Sequence, residues 1–518
     1  MKPIFVVLVM TLTTLLGACG TNPVTGDREL GLVSESSELD IGRQQYQPTR
    51  QMQGGDYILD PELTRYVKRV GAKLAAVSDR KLPYEFSIVN DSSPNAWALP
   101  GGKIAVNRGL LVELKNEAEL AAVLGHEIVH AAARHSAQGM ERGVLLQGAL
   151  VAAGVLIGSS GYADYSDLAL GAAALGANLV NQRYSREAEL ESDHYGMLYM
   201  QRAGYDPRAA IGLQETFVRL SEGQDSSWLS GLLASHPPSP ERVSENRKTA
   251  KSLGAGGRLG TEQYQQMIAN LRRNKPAYAA YDKGREKLDK QPEGALKLAE
   301  QAISIEPREG LFYGLKGDAL EKLGRHEAAL KAFDQAVARN PDFFSPYLKR
   351  GAVKVGLGEA EGARRDLQRS LDILPTAEAH YLLGIVARGE GDRSGAIKHL
   401  QIAAGSGSAV SKAAKRELTG LELARNPADY VQTALGVDSR GTLQVQVTNN
   451  TGAAVKDLVV LVGRTDSSGR IYRGDDYALK VVLRPGERIR FKTNVKGVTS
   501  AAELRAYAAR VKQARPVN

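Results

Sequence analysis

The sequence Leu124-Gly125-His126-Glu127-Ile128-Val129-His130 places two histidines four residues apart. On an α-helix, residues at this spacing share a face, so His126 and His130 can direct their imidazoles at one metal ion. Glu127 follows His126, where its carboxylate can activate a water molecule at the metal. Residues 117–124 begin with acidic side chains and continue with strong helix formers, as the first turns of a helix do. The pattern predicts a helix with the zinc site of a metal-dependent hydrolase; the alternative is a chance arrangement in a structural helix.

The residues after His130 exclude one class of zinc protease. A metzincin would need Gly at position 133 and His at position 136, but the sequence has Ala133 and Ser136 there, and His135 lies five residues beyond His130. The third ligand is therefore expected from a second helix, as a glutamate with a carboxylate one turn on that orients a ligand histidine.

The segment from Ser185 to Gly196 offers such carboxylates. Glu189 and Asp193 are four residues apart and share a helix face, and Glu187 and Glu191 form a competing pair at the same spacing. The pattern alone does not choose between the two pairs, and all four side chains could instead form a solvated acidic face.

The beginning of the chain has the pattern of an export signal. Lys2 provides a positive charge, and the apolar run after it is too short to predict a membrane span. Leu16-Gly17-Ala18-Cys19 resembles the lipobox of bacterial lipoproteins, which predicts lipidation of Cys19, and the following Gly20-Thr21 resembles an outer-membrane sorting signal. The alternative is a plain secretory signal with an incidental cysteine. Since Cys19 is the only cysteine, the sequence excludes an intramolecular disulfide and a thiolate zinc site.

Length and composition indicate several ordinary globular domains, with 518 residues of which 43% are hydrophobic and 24% charged. The formal net charge is +9, and most of the excess lies in residues 429–518, which hold 15 Lys and Arg against 8 Asp and Glu. An exported protein rarely meets nucleic acid, so we expect no nucleic acid partner. The positive charge could bind anionic lipid or lipopolysaccharide head groups, or it could simply form a solvated basic surface.

Around the histidine and acidic motifs, the hydrophobic pattern predicts further helices and a small sheet. Residues 95–106 have the pattern of a strand, a tight turn and a second strand, where an extended peptide could add by backbone hydrogen bonds; an ordinary hairpin is the alternative. Apolar runs at 144–157 and 168–180 are each shorter than the roughly 20 residues that span a bilayer. We expect both to be helices packed on the domain core or covering its cleft, with shallow membrane contact as the alternative. The other predicted elements are helices at 34–47 and 61–77 and a strand at 84–89.

Four segments, taken in order, resemble one known family. They are Asn95 to Leu111, His126 to Ser136, Tyr184 to Gly196, and Ser235-His236-Pro237 with Arg242. They resemble the integral-membrane and periplasmic zinc peptidases that include HtpX, the CAAX prenyl endopeptidases and the BepA-like β-barrel assembly-enhancing proteases. The resemblance covers roughly residues 38–247 and implies a gluzincin-type zinc metalloprotease domain, built of helices and a small sheet, with one Zn²⁺ per chain.

The resemblance also implies roles for the site residues. The implied metal ligands are His126, His130 and Glu189. Glu127 would be the catalytic group, and Asp193 would orient a ligand histidine. In BepA-like members the histidine that matches His236 can occupy the open zinc position and hold the enzyme inactive, so His236 could be such a latch. It could also stabilise the transition-state oxyanion or cap a loop, and Arg242 could assist the oxyanion or have a structural role.

A 34-residue period indicates tetratricopeptide repeats after the protease domain. The periodic residues are Pro307, Pro341 and Pro375, then Gly317, Gly351 and Gly384, and also Gly324, Gly358 and Gly391. We expect Pro at the end of each second helix, and close helix crossings at Gly324-x-x-x-Ala328 and Gly358-x-x-x-Gly362. About four repeats, with a divergent first one from about Tyr278, would form an α-solenoid whose concave surface docks peptides or proteins; a passive spacer is the alternative.

From Tyr430 the pattern changes to short alternating strands. Leu443, Val445 and Val447 alternate before a turn at Asn449 to Gly452, and another strand follows Pro485-Gly486. We expect a small β-sandwich-like module with a binding role, to which the family resemblance does not extend.

Together these patterns predict a mainly α-helical chain in five parts. The parts are a lipoprotein signal peptide at 1–19, a zinc metalloprotease domain at 20–255, a linker at 256–277, tetratricopeptide repeats at 278–425 and a β-rich module at 430–518. The resemblance implies a periplasmic endopeptidase, anchored through Cys19 in the outer membrane of a Gram-negative bacterium. It would act in quality control of exported or outer-membrane proteins, with the repeats docking substrates or the outer-membrane assembly machinery. The alternative is a periplasmic chaperone or assembly scaffold with a latched or vestigial zinc site.

Overall fold

The computed structural model describes residues 19–152, 183–221, 235–254 and 256–517 of the chain. They form two compact units, one that reaches Val353 and one that begins at Lys354. The first unit begins with two short antiparallel strands, β1 (Cys19–Thr21) and β2 (Arg28–Leu30). As predicted, two helices follow, α1 (Glu35–Met52) and α2 (Pro61–Ala76).

A small mixed sheet lies beside these helices. Its strands are β3 (Glu85–Val89), β4 (Ala96–Leu99) and β5 (Lys103–Asn107). β5 is central, with β3 parallel to it on one side and β4 antiparallel to it on the other. Gly101 and Gly102, which connect β4 to β5, have φ angles of +74° and +81°, a conformation that the primed hairpin turns require. The predicted strand, turn and strand are therefore confirmed.

The histidine motif lies on a helix buried at the centre of the first unit. The helices here are α3 (Arg108–Leu111), α4 (Glu117–Ala132), α5 (His135–Ala152), α6 (Arg186–Arg202), α7 (Ala209–Ser221) and α8 (Pro240–Leu253). α4 begins at Asn116, whose side chain accepts a hydrogen bond from the Glu119 N–H, and α6 begins in the same way at Ser185. Such caps satisfy N–H groups that a helix start leaves unpaired. Sequence-local chemistry thus defines both helices that carry the predicted ligands.

α4 and α6 cross at two glycines. A Cβ atom on Gly125 would lie 3.1 Å from the Gly196 carbonyl oxygen, and one on Gly196 would lie 3.1 Å from the His126 backbone nitrogen. Because real Cβ contacts are rarely so short, any larger residue would separate the helices. The two glycines therefore set the close approach that brings the motifs together.

The segment predicted as a linker, 256–277, is instead largely helical and packed within the first unit. It contains α9 (Thr261–Met267) and α10 (Ala269–Arg273). Tyr264, Ile268 and Leu271 are buried, and the Tyr264 hydroxyl donates a 2.6 Å hydrogen bond to the Leu111 carbonyl. Tyr264 lies on α9, Leu271 lies on α10 and Ile268 lies between them. Burial of these side chains orders the segment in spite of its otherwise polar composition.

The repeat helices follow directly. They are α11 (Lys275–Lys287), α12 (Pro292–Ile305), α13 (Gly310–Lys322), α14 (His326–Arg339), α15 (Phe344–Leu357), α16 (Ala360–Ile373), α17 (Ala377–Gly389), α18 (Arg393–Gly405), α19 (Ser411–Glu422) and α20 (Pro427–Tyr430). Pro307, Pro341 and Pro375 each follow the end of a second helix, as predicted. The mainly helical fold with repeats is confirmed.

The two glycine series of the repeats have different roles, and one differs from the prediction. Gly324, Gly358 and Gly391 have φ angles of +71°, +77° and +79°, and they end helices rather than mark close crossings; Ala328 is exposed. Glycine is favoured there because it adopts the left-handed conformation without strain. The close crossings lie at Gly317 and Gly384, where an added Cβ would come within 2.5 Å of the Phe333 ring and 2.7 Å of Leu400 Cγ.

Within the first unit, the first repeats are bonded to the protease part. Asn90 Nδ2 donates to Glu309 Oε2 over 3.0 Å, and the Tyr278 hydroxyl donates to the same oxygen over 2.7 Å. Arg108 donates from Nε to Asn90 Oδ1 over 2.7 Å, and its guanidinium lies 3.3 Å from the centre of the Tyr278 ring. Buried polar groups that are all satisfied in this way fix a single arrangement of the elements they join.

The chain ends in two three-stranded antiparallel sheets in the second unit. One has the order β10-β7-β6 and the other β11-β8-β9. The strands are β6 (Val431–Val437), β7 (Leu443–Asn449), β8 (Val455–Thr465), β9 (Ile471–Leu479), β10 (Arg488–Lys492) and β11 (Tyr507–Pro516), with a short helix α21 (Ala501–Leu504). Val445 on β7 and Val460 on β8 belong to one buried cluster, so the sheets share a core, as in the predicted sandwich-like module.

The predictions of the signal peptide and of the two apolar runs fall partly or wholly outside the described residues. The residues before Cys19, the run at 168–180 and the end of the run at 144–157 are not described. The described part of the run at 144–157 belongs to α5, which extends to Ala152. Within the described ranges, every helix is too short or too polar to cross a bilayer.

Candidate metal centre

Four side chains from three parts of the first unit converge on one point. His126 and His130 come from α4, Glu189 comes from the first turn of α6, and His236 precedes α8. Each of the four is buried, and each offers one ligand atom within 4.8 Å of the others. The structure therefore brings together the three ligands that the resemblance implied and adds His236 to them.

The distances between the donor atoms are short. The Nε2 atoms of His126 and His130 are 3.0 Å apart. Glu189 reaches both rings, with Oε2 3.5 Å from His126 Nε2 and Oε1 3.4 Å from His130 Nε2. Both imidazoles thus direct the same ring nitrogen at the carboxylate, which leaves Nδ1 of each ring to other partners.

Of the three glutamates on α6 that the sequence left open, only Glu189 lies in this cluster. Glu187 is exposed, and Glu191 turns toward His135, with Oε1 3.4 Å from His135 Nε2. The three differ only in their direction around the helix axis. The rotation of α6 against α4, which the crossing at Gly196 sets, selects Glu189.

His236 lies at the fourth corner of the cluster. Its Nδ1 is 2.9 Å from Glu189 Oε1 and 3.3 Å from His126 Nε2, and its Nε2 is 3.6 Å from Glu127 Oε1. The imidazole therefore stands between the ligand atoms and Glu127, where the reacting groups of a substrate would have to enter.

Asp193 and Arg242 hold the side chains of the cluster in place. Asp193 Oδ1 is 2.9 Å from His126 Nδ1. Arg242 donates from Nε and Nη2 to the two oxygens of Asp193, each over 2.7 Å, and its Nη1 lies 2.7 Å from Glu189 Oε2. Arg242 lowers the pKa of Asp193 against the effect of burial. This bidentate pairing supports a structural role for Arg242, because its guanidinium group is already engaged by carboxylates.

Glu127 lies beside the cluster with one carboxylate oxygen free. Glu127 Oε2 is buried and has no hydrogen-bond partner among the described residues. Burial raises the pKa of this carboxyl group above its usual value. A buried, unpartnered carboxylate oxygen is costly in a purely structural position, so its presence next to the cluster indicates a group kept available for a proton.

Two aromatic side chains that the sequence reasoning did not assign also contact the cluster. The Tyr184 ring stacks on His130 with a centroid distance of 3.9 Å, and its hydroxyl is 2.9 Å from Ser136 Oγ. His135 places Nδ1 2.8 Å from His130 Nδ1. Both lie within motifs of the family resemblance, which was the signal that could have identified them.

The electrostatics favour a bound cation. Burial alone would lower the pKa of His126, but the carboxylates of Glu189 and Asp193 raise it to about 10. Burial lowers the pKa of His130 well below its usual value, which keeps this ring neutral. Two carboxylates thus attract positive charge to a point lined by imidazole nitrogens, and this donor set suits a divalent transition metal.

The comparisons with known proteins agree with this geometry. Residues 61–250 match the model of Peptidase family M48, and residues 288–350 match the Tetratricopeptide repeat model. The "Putative beta-barrel assembly-enhancing protease" of Vibrio cholerae is 32% identical over 198 residues, which are 38% of this chain and 40% of that protein.

Two further relatives carry other names. The "Mitochondrial metalloendopeptidase OMA1" of Schizosaccharomyces pombe is 33% identical over 224 residues, 43% of this chain and 63% of that protein. The "Metalloprotease YcaL" of Escherichia coli is 32% identical over 188 residues, 36% of this chain and 70% of that protein. The chain therefore spans less than two thirds of the first two relatives but more than two thirds of the third. These matches confirm the family resemblance, and the chain belongs to peptidase family M48.

Proposed function

We propose that this protein is a zinc-dependent endopeptidase of the periplasm that acts on misfolded or misassembled exported proteins. The observation that carries the proposal is the cluster of His126, His130 and Glu189 with the free carboxylate oxygen of Glu127 beside it. Membership of peptidase family M48 supports the reaction class.

The donor spacing fits one divalent transition metal ion, such as zinc. With zinc-to-ligand distances of about 2.0–2.1 Å, the corners of a tetrahedron are about 3.3 Å apart. The separations between the nitrogens and carboxylate oxygens of His126, His130 and Glu189 range from 3.0 to 3.5 Å. We assign these three residues as the ligands. When bound, the ion would supply Lewis-acid polarisation of a peptide carbonyl and acidify water.

Glu127 is the group that moves protons in this proposal. Its unpartnered Oε2 accepts a proton from the attacking water and delivers it to the leaving amine. Because burial raises the pKa of this carboxyl group, the protonated form is easier to reach than for an exposed glutamate. Asp193 holds the His126 ring through Nδ1, and Arg242 in turn holds Asp193.

We further propose that His236 keeps the resting enzyme closed. Its Nδ1 lies within hydrogen-bond distance of Glu189 and its Nε2 faces Glu127, so the ring fills the space that a scissile peptide needs. Since His236 belongs to a segment before α8 and not to α4 or α6, it can leave without disturbing the helices that carry the ligands. This arrangement supports a role of His236 as a latch, in preference to stabilising the oxyanion or capping a loop.

The proposed location and partners of the protein rest on its sequence motifs and on the names of its relatives. The lipobox pattern at Cys19 supports an anchor in the outer membrane. The relative from Vibrio cholerae, whose name refers to β-barrel assembly, supports outer-membrane proteins as substrates. The tetratricopeptide match supports docking of proteins or peptides on the repeats. Replacement of Cys19 by Ser should then move the protein from the membrane fraction to the soluble fraction.

Metal content and proteolysis together test the ligand assignment. Purified wild type, Glu189→Gln and Glu187→Gln would be compared on an unfolded test protein, with zinc measured in each. Glu187 is the matched control, because it lies on the same helix but is exposed. We expect about one zinc per chain and cleavage in wild type and Glu187→Gln, and neither in Glu189→Gln. Equal zinc and equal cleavage in all three would refute the assignment.

A further inference from the structure

A small cavity lies next to the candidate metal centre and is not needed to hold the metal. It has a volume of about 40 Å³, and Glu127 and His126 form one wall. The other walls come from α6, α7 and α8, with apolar side chains such as Met197 and Phe217. A cavity that adjoins the catalytic carboxylate is where a substrate side chain next to the scissile bond would be accommodated.

Gln214 breaks the apolar character of one wall. On α7, the residues that line the cavity are Ala210, Leu213, Gln214 and Phe217, which share one helix face. Gln214 is 4% exposed, and its Oε1 atom has no hydrogen-bond partner among the described residues. A buried polar group in an apolar wall lowers stability unless it is paired.

Asn246 is a second residue with an unpaired polar atom that lines the same cavity. It lies on α8 one turn after Arg242, and both residues line the cavity. Asn246 is 2% exposed, and its Nδ2 atom has no hydrogen-bond partner within the described part of the chain. An unpaired acceptor on α7 and an unpaired donor on α8 thus belong to residues that line one small cavity. If both side-chain amides were turned over together, the two residues would still offer one donor and one acceptor.

We propose that this cavity is a specificity pocket for an amide side chain, asparagine above all, at a position flanking the scissile bond. The proposal rests on the proposed endopeptidase function. A primary amide carries an N–H₂ donor for Gln214 Oε1 and a carbonyl acceptor for Asn246 Nδ2. A leucine of similar shape leaves both protein groups unpaired. An aspartate offers only acceptors, so it leaves Gln214 Oε1 without a donor.

The size of the cavity restricts the occupant further. At about 40 Å³ it is much smaller than the cavities of about 150 Å³ that admit a benzene ring, so aromatic side chains do not fit. Water can fill it in the resting enzyme, since about 10–15 Å³ is enough for one molecule. An amide that replaces the water reproduces its hydrogen bonds, whereas an apolar side chain of the same size does not.

The first test measures which residues flank the cleaved bonds. A peptide library from a digested proteome is incubated with the zinc-loaded protein, and the new termini are mapped by mass spectrometry. We expect asparagine to be enriched at one flanking position, and cleavage of matched peptides with Asn to exceed that with Leu or Asp at least tenfold in kcat/KM. Cleavage without such a preference would overturn the pocket and leave the endopeptidase function intact.

Binding provides a readout that does not need hydrolysis. The same Asn, Leu and Asp peptides are titrated into zinc-loaded Glu127→Gln protein by fluorescence anisotropy. We expect the Asn peptide to bind at least tenfold more tightly than the other two. If no form cleaves peptides, the proposed function fails; equal binding of the three peptides would independently refute the pocket.

A double substitution tests whether Gln214 and Asn246 cause the preference for asparagine. In the double variant Gln214→Met, Asn246→Leu, both polar groups are replaced by apolar side chains of similar size, so the Asn preference should vanish and Leu peptides should bind at least as well. Gln266→Met is the matched control, because Gln266 is exposed on α9, and it should keep the wild-type preference. A double variant that folds, shown by its circular dichroism and zinc content, and still prefers Asn would contradict the proposal.

Discussion

The Nδ1 atom of His130 lies 2.8 Å from the Nδ1 atom of His135, so this candidate ligand is supported by a second histidine instead of a carboxylate. His135 in turn places Nε2 3.4 Å from Glu191 Oε1, and Asn22 donates from Nδ2 to the same oxygen over 3.0 Å. If His130 donates from Nδ1, His135 accepts at Nδ1 and donates from Nε2 to the Glu191 carboxylate. His130 Nε2 then keeps its lone pair for a metal.

This relationship predicts that His135 contributes to metal affinity. Replacement of His135 by Phe keeps a ring in the space but removes the partner of His130 Nδ1, and should weaken zinc binding about 10- to 100-fold. Competition with a chromogenic chelator measures the affinity directly. His194→Phe is the control, because His194 is exposed on α6 and should leave the affinity unchanged. Equal affinity in both variants would show that His135 only fills space.

The position of His236 predicts a gain of activity on its removal. Because the ring occupies the space between Glu189 and Glu127, His236→Ala should cleave an unfolded protein several-fold faster than wild type at unchanged zinc content. His194→Ala should behave as wild type. A large loss of activity in His236→Ala would instead support a role for His236 in stabilising the oxyanion, and no change would support a loop cap.

The crossing at Gly196 predicts coupling between stability and metal binding. A methyl group at this position would lie 3.1 Å from the His126 backbone nitrogen, so α4 and α6 would have to separate. Gly196→Ala should lower the free energy of unfolding by about 1–3 kcal/mol and also weaken zinc binding, which urea titration and chelator competition would measure.

A second helical glycine provides the control for this crossing. At Gly314 an added Cβ would meet no described atom within 4 Å. Gly314→Ala should therefore leave zinc binding unchanged and raise the free energy of unfolding by up to about 1 kcal/mol. If Gly196→Ala behaved in the same way, the close approach of α4 and α6 would not be needed for the site.

Two histidines in the second unit predict a pH dependence. Burial lowers the pKa of His380 to about 4, with smaller contributions from His399 and Lys398, and the two rings meet through their Nδ1 atoms at 2.9 Å. The unfolded chain would take up this proton at about pH 6.5. The free energy of unfolding should therefore fall as the pH decreases through the window from 6.5 to 4, and His380 should not affect it above that window.

Titration of the His380 ring by NMR checks this directly, with His380→Gln used to assign the signal. We expect the titration to have its midpoint near pH 4, and a midpoint near pH 6.5 would show that the ring is solvated. The same substitution should make the free energy of unfolding less sensitive to pH between 6.5 and 4.

Features that depend on neighbouring residues in the chain could be predicted from the sequence. The histidine helix, its spacing and the turn between β4 and β5 follow from caps, periodicity and glycines that act over a few residues. The prolines after the second repeat helices are equally local, because proline cannot continue a helix there. The family resemblance added Glu189, Asp193 and His236, which lie far from His126 in the chain.

What the sequence could not provide are features that depend on how helices pack. The residue spacing alone did not choose among Glu187, Glu189 and Glu191. The family resemblance implied Glu189, and the rotation of α6 set by its contact with Gly125 gives the physical reason. The predicted linker is helical because Tyr264 finds a buried partner in the Leu111 carbonyl, and nothing in its polar composition indicates that partner. The helix crossings in the repeats likewise required the structure to distinguish Gly317 from Gly324.

The most direct test of the central claim compares wild type with Glu127→Gln. Both are purified, their zinc is measured, and each is incubated with an unfolded test protein. The substitution keeps the size of the side chain but removes the carboxylate that accepts the proton. We expect about one zinc per chain in both proteins, with cleavage by wild type and none by Glu127→Gln. Equal cleavage by the two proteins, or wild type that binds no zinc and cleaves nothing, would contradict the claim and favour a scaffold that works through its repeats.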